Sequence, residues 1–180
     1  MNGEMGFREA LAERVRLLRG MRIEALEGVK ERVSFTPGAR DLVQALRGLG
    51  CKTAVVSGGF HFLADHVRDV LGLDYCFANR LEDEQGVLTG RTVGEVVDGE
   101  FKERALKRLA AEMRLQREEV LAVGDGSNDL LMMGSAGLGV AFNAKPVVQD
   151  QAKARLNQPS LRNVLYLLGL SEEDIQLLVR

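Results

Sequence analysis

The residues best suited to chemistry fall in one stretch, Val120-Leu121-Ala122-Val123-Gly124-Asp125-Gly126-Ser127-Asn128-Asp129. Its four leading apolar residues predict a short strand buried on both faces, the kind found inside a parallel sheet. Gly124 and Gly126 flank Asp125, so the backbone can turn tightly and approach whatever the carboxylate touches. Ser127 is the expected N-cap of a helix from Asn128 to about Ala136. Asp125 then sits at the carboxyl end of a strand, where open α/β sheets bind ligands, and Asp129 follows one turn later. Two carboxylates, an amide and free loop N–H groups suit a hard cation with a bound phosphate. The plainer alternative is an Asp-Gly turn joining a strand to a helix.

A second candidate is Ser57-Gly58-Gly59, also at the end of a predicted strand and ahead of a helix. A hydroxyl followed by consecutive N–H groups makes an anion cradle, although small residues end many strands. It is not a nucleophile elbow, because glycine follows the serine directly and no His–acid pair is evident. Lys102, near the start of its helix, reads by itself as a solvated lysine. His61 and His66 are five apart, do not share a helix face, and read as structural or solvent-facing. Cys51 and Cys76 lack metal-ligand spacing and read as two buried thiols in a reducing compartment.

The elements that must position these groups follow from periodicity. Phe7, Ala10, Leu11, Val15 and Leu18 predict an amphipathic helix over 6–19, with Arg14 on the same apolar stripe. An arginine there either snorkels to solvent or awaits an anion. A second helix runs from Arg22 to Arg32, and Ser34-Phe35-Thr36-Pro37-Gly38 reads as a junction. Thr36 as N-cap, Pro37 at the first position and Gly50 past the end frame a helix bearing Ala39, Leu42, Val43, Leu46 and Leu49. Then come a buried strand at Lys52–Val56, a helix at His61–Leu71 stopped by Gly72, and a strand at Tyr75–Asn79. Gly86, Gly90 and Gly94 suggest a hairpin flap over 80–100, before a helix from Phe101 to Leu115. Leu138–Phe142 is the last predicted strand, followed by short helices around 146–152, 161–168 and 171–179. Alternating strands and helices imply an α/β fold with a doubly wound, mostly parallel sheet.

Composition narrows the function classes. Hydrophobic content of 46% and only three prolines in 180 residues describe a globular chain. A net charge of −2 argues against nucleic acid as a partner. Without a run of 18 apolar residues or a signal-peptide pattern, the expectation is a cytoplasmic protein with no membrane partner.

Taken together, Ser57-Gly58-Gly59-Phe60, then Lys102, then Gly124-Asp125-Gly126-Ser127-Asn128-Asp129 resemble the later motifs of the haloacid dehalogenase superfamily, in its phosphoserine phosphatase branch. Supporting stretches are Phe35-Thr36-Pro37-Gly38, Gly72-Leu73-Asp74-Tyr75, Phe77-Ala78-Asn79-Arg80-Leu81, Leu88-Thr89-Gly90 and Ala144-Lys145-Pro146. The resemblance implies a Rossmannoid core with a partial helical cap: residues 1–34 a cap remnant, 35–180 a core lacking its first strand. It implies hydrolysis of O-phosphoserine to serine and phosphate, the last step of serine biosynthesis, with Mg²⁺ as cofactor. Ser57 and the Gly58 amide would cradle the phosphate, Lys102 would neutralise charge, and Asp125 would ligate Mg²⁺. Asn128 would bond on the phosphate side and Asp129 would steady the metal site from outside. Phe7, Arg14 and Met1 match substrate-contacting cap positions, with Arg14 pairing with the substrate carboxylate.

One departure limits the match. Such phosphatases open with an Asp-x-Asp-x-Thr loop supplying the nucleophile and the general acid, and no such motif occurs in these 180 residues. The chain also lacks the cap's first helix and the glutamate that the family uses for the substrate amine. The expectation is a truncated chain that is inactive by itself, with unpaired backbone beside a missing strand. Two other readings remain open: a non-catalytic phosphate or phosphoserine sensor, and an interaction protein accepting a strand from a partner or a second copy, as in a homodimer.

Overall fold

The computed structural model describes residues 3–180, with side chains from residue 6 onward. The chain divides into two compact units, one formed by the residues up to Ser34 with Ala54–Asp98, the other by Phe35–Thr53 with Gly99–Arg180.

In the first unit, helix α1 (Gly3–Arg16) turns Leu11 and Val15 inward, and both are buried. Residues 22–32 form a 3-10 turn at Ile23–Leu26 and a single helical turn, α2 (Glu27–Lys30), rather than one helix. Strand β1 (Ala54–Phe60) runs through Ser57-Gly58-Gly59 itself, four residues beyond its expected end. Helix α4 (His61–Leu71) ends at Gly72 with φ 72°, where a glycine stop was expected. Strand β2 (Tyr75–Glu84) is twice its expected length and pairs antiparallel with β3 (Val87–Val93). Gln85 and Gly86 close that hairpin, both at positive φ, as a twist-matched two-residue turn requires. The expected flap is therefore present, and its sheet order is β1-β2-β3, with β1 and β2 parallel.

In the second unit, helix α3 (Ala39–Gly48) begins later than Thr36. Thr36-Pro37-Gly38-Ala39 is a β-turn instead: the Ala39 N–H donates to the Thr36 carbonyl at 3.1 Å, with Gly38 at φ 74°. Proline then glycine at the two central positions specify that turn more strongly than threonine specifies a cap. A Cβ on Gly38 would also lie 2.6 Å from the Arg162 backbone nitrogen.

The parallel sheet β4-β5-β6 consists of β4 (Leu121–Gly124), β5 (Leu138–Phe142) and β6 (Ala154–Leu156). Helix α5 (Gly99–Glu112) and helix α6 (Leu130–Ser135) pack together, with Met132, Met133, Ala122 and Ala141 in one core. The other face holds Leu42 and Ala45 of α3, Val140, and the C-terminal α8 (Val164–Leu167) and α9 (Glu172–Leu178). A short α7 (Pro146–Gln149) buries Val148. Ala122 and Ala141 face one core while Leu121, Val123 and Val140 face the other, the period-two alternation of a sheet covered on both sides.

The α/β class with mostly parallel strands stands, in two three-stranded sheets among the described residues rather than one. Two buried-strand expectations need correction. Val55, Val56, Leu121 and Val123 are only half-buried, because β1 and β4 each form an edge of their sheet. The cysteines also differ: Cys51 is exposed in the loop after α3 and Cys76 is half-buried on β2.

Candidate functional site

The second unit carries the acidic loop. Gly126, not Ser127, occupies the N-cap position, and Ser127–Asp129 form a 3-10 turn before α6. Asp129 does the capping: its Oδ2 accepts from the Asp125 N–H at 3.2 Å and the Gly126 N–H at 3.1 Å. A carboxylate reaching back to orphan donors is the capping arrangement expected at a helix start. Two glycines make room for it. A Cβ on Gly124 would fall 2.4 Å from the Asp129 Cβ, and one on Gly126 would fall 2.5 Å from the Asn128 Oδ1.

The other oxygen of Asp129 takes Lys102. Nζ of Lys102 lies 2.6 Å from Asp129 Oδ1, and both side chains are only 7% exposed. The solvated-lysine reading of Lys102 is thereby overturned. Its place in the first turn of α5, between buried Gly99 and Ala105, turns the side chain inward. A buried ammonium needs a carboxylate partner, which Asp129 supplies. Asp125 is different. It is exposed, and among the described residues its carboxylate has no hydrogen-bond or ion-pair partner. Asn128 is half-buried beside it. The loop therefore offers one uncommitted carboxylate, one carboxamide and a lysine, held by an aspartate whose own oxygens are fully engaged.

The first unit carries the hydroxyl, near the end of β1. Ser57 Oγ accepts from the Gly59 N–H at 3.0 Å. The Gly58 carbonyl accepts from Asn79 Nδ2 at 2.9 Å. Phe7 lies against this end of β1, since a Cβ on Gly58 would be 2.9 Å from the Phe7 Cζ. Next to Phe7, Arg8 donates Nε to Asp98 Oδ2 at 2.8 Å, and its Nη2 makes a still closer contact with the same oxygen. Asp98 itself is almost fully buried, so this pair pins α1 within the unit. Arg14 is exposed and donates Nε to the Ala10 carbonyl at 3.1 Å, which is the snorkelling alternative. Met1 lies outside the described residues.

Sequence reasoning missed a cluster here. His61 Nδ1 lies 3.2 Å from Asp65 Oδ2, and its Nε2 accepts from the Ala78 N–H at 3.3 Å. Cys76 stands close enough that the three side chains could in principle ligate an ion. The Ala78 bond argues otherwise, because it leaves the proton on Nδ1, facing Asp65, where a metal would need a lone pair. Burial, then the charge of Asp65, pushes the Cys76 thiol up to about 11, away from a metal-binding thiolate. The i,i+4 spacing of His61 and Asp65 was the available signal, and it makes His61 structural as expected.

Parallel strands with Ser-Gly-Gly at the end of one, Gly-Asp-Gly-Ser-Asn-Asp after another, and a buried lysine in the first turn of a helix define a class. The chain belongs to the haloacid dehalogenase-like hydrolases, whose family model matches residues 2–134. Within that class it is similar to phosphoserine phosphatases. It is 47% identical to that of Archaeoglobus fulgidus over 173 residues, covering 96% of this chain and 50% of the relative. It is 43% identical to that of Idiomarina loihiensis over 172 residues, covering 96% of this chain and 78% of the relative. A substrate-bound phosphoserine phosphatase structure superposes with TM-score 0.85 at 39% identity, covering 89% of this chain and 77% of that one. The chain spans about half the length of the curated relatives it matches first.

Proposed function

We propose that this chain serves the Mg²⁺-dependent hydrolysis of O-phosphoserine to serine and phosphate, a cytoplasmic step that ends serine biosynthesis. The observation that supports it best is the buried Lys102–Asp129 pair beneath an uncommitted Asp125. Burying an ammonium and a carboxylate is expensive, and a packed apolar pair would serve stability as well. A lysine held there suits an anionic ligand. The relatives named above are phosphoserine phosphatases, and two free cysteines accord with a reducing compartment. Among the described residues no helix is long and apolar enough to cross a membrane.

In this reading Ser57 and the Gly58 amide take phosphoryl oxygens, Asn128 donates on the phosphate side, and Lys102 offsets charge as it develops. Asp125 fits a hard divalent ion, being an exposed carboxylate with no competing partner among the described residues, and Asp129 orients that loop from behind. Bound there, the ion would supply Lewis-acid stabilisation of the phosphoryl oxygens. Residues 1–34 serve as cap and 35–180 as core. Phe7 supplies an apolar wall and Arg14 turns from Ala10 to pair with the substrate carboxylate. The nucleophilic and proton-transferring aspartates belong to an Asp-x-Asp-x-Thr segment that these 180 residues do not contain.

The test is phosphate release from O-phosphoserine with Mg²⁺, for this chain and for one extended ahead of Met1 by an Asp-x-Asp-x-Thr strand. The expected result is turnover by the extended chain, and binding without turnover by the chain as it stands. No phosphoserine binding by either would refute the reading.

A further inference from the structure

Strand β1 does not run in register with β2 to its end. Ser57 pairs with Ala78 and Phe60 with Asn79, so Gly58 and Gly59 stand between consecutive pairs as a bulge. Such a bulge takes ladder groups away from their partners, and buried ladder groups need replacements. Two side chains supply them. His61 Nε2 accepts the Ala78 N–H, and Asn79 Nδ2 donates to the Gly58 carbonyl at 2.9 Å. Asn79 is 1% exposed, and its Oδ1 accepts the buried Val97 N–H at 2.9 Å.

The consequence runs along one peptide group. In a trans peptide the carbonyl and the N–H point in opposite directions, and no cis bond occurs among the described residues. Fixing the Gly58 carbonyl on Asn79 therefore also fixes the Gly59 N–H, which points at Ser57 Oγ, 3.0 Å away. That bond occupies a lone pair of the serine oxygen and leaves its proton to be donated elsewhere.

We propose that Asn79 is a positioning residue: through the Gly58–Gly59 peptide it sets the Ser57 hydroxyl as a hydrogen-bond donor to a phosphoryl oxygen. This rests on the phosphatase reading above. Only a side chain with a donor and an acceptor side by side meets both the Gly58 carbonyl and the Val97 N–H. Aspartate keeps the Val97 bond but turns an acceptor toward a carbonyl, and so releases the peptide while holding the strand.

The experiment is a double-mutant cycle on this chain, with inorganic phosphate and O-phosphoserine as probes in calorimetric titrations containing Mg²⁺. Losing a hydrogen bond to a charged group lowers affinity about tenfold or more, so Ser57→Ala and Asn79→Asp should each do so. Because both act through one hydroxyl, the double variant should bind about as weakly as Ser57→Ala alone. A double variant weakened by the product of the two single losses would overturn the assignment, as would Asn79→Asp binding like the wild type. Circular dichroism checks folding of each variant. If Asn79→Asp does not fold, Asn79→Ser, whose side chain is too short to reach both the Gly58 carbonyl and the Val97 N–H, takes its place in the same cycle with the same expected non-additivity. A wild-type chain that binds neither probe overturns this assignment; the phosphatase reading falls with it only if the extended chain also fails to bind O-phosphoserine.

Discussion

Lys102→Met tests the interaction on which the acidic loop depends. The substitution keeps the aliphatic stem and removes the ammonium 2.6 Å from Asp129 Oδ1, in a pair whose side chains are 7% exposed. Breaking a buried pair by removing one partner costs about 3–5 kcal/mol, chiefly because the remaining charge has no compensation. Here Oδ2 keeps its two backbone donors, Asp125 N–H and Gly126 N–H, which favours the lower end of that range. At about 3 kcal/mol, and 2–4 °C per kcal/mol for a chain of this size, Tm should fall by about 6–12 °C. Lys107→Met is the control. Its Nζ lies 2.7 Å from Glu103 Oε1, but the lysine side chain is 61% exposed, so the loss should stay below about 1 kcal/mol. Lys102→Met/Asp129→Asn, which leaves no bare charge inside, should recover about half of the loss. Thermal melts followed by far-ultraviolet circular dichroism read all three. A Lys102→Met melt indistinguishable from that of Lys107→Met would show that the pair does not hold the loop.

Three further outcomes are expected. Gly124→Ala places a methyl 2.4 Å from the Asp129 Cβ, so Asp129 must move; overpacking of this kind costs about 1–3 kcal/mol, and phosphate affinity should drop with it, by calorimetry. Iodoacetamide at pH 8 should modify exposed Cys51 well before Cys76, whose thiol is pushed up to about 11 by burial and by Asp65; equal rates in the folded chain would contradict this, and urea should abolish the difference. Hydrogen bonds from Arg162, then Tyr166 and Gln176, hold the Glu172 carboxyl down at about 2, below its ordinary 4.5. A depressed carboxylate stabilises the fold above its unfolded value and loses that contribution as pH falls through the folded one. The C-terminal helix should therefore loosen between about pH 4.5 and pH 2. In Glu172→Gln, Tyr166 ring resonances should show no transition in that window.

Much of the fold was legible where one local rule acts unopposed. Helix α4 spans His61–Leu71, as its periodicity and Gly72 require, and the 80–100 flap follows from its glycines. Rules in competition were harder to read: at Thr36-Pro37-Gly38 a cap signal and a turn signal overlap, and the turn won because Gly38 also has to clear Arg162. Strand β6, Ala154-Arg155-Leu156, is too short to show a period, and pairing with β5 defines it. The placement of Asp125 and Asp129 between β4 and α6 was legible from spacing. The burial of Lys102 was not, since its partner lies 27 residues away and a lone lysine carries no sign of it. Asn79 shows the same limit. Its task is set by a bulge on another strand, and nothing in its immediate neighbours announces that.

Strands β1 and β4 are each hydrogen-bonded along one flank only among the described residues. The opposite flank is a ready template of alternating donors and acceptors. Concentrated solutions of this chain should therefore become adhesive through backbone rather than side chains. A short extended peptide rich in β-branched residues, added in excess, should keep the molecules apart by occupying those flanks first.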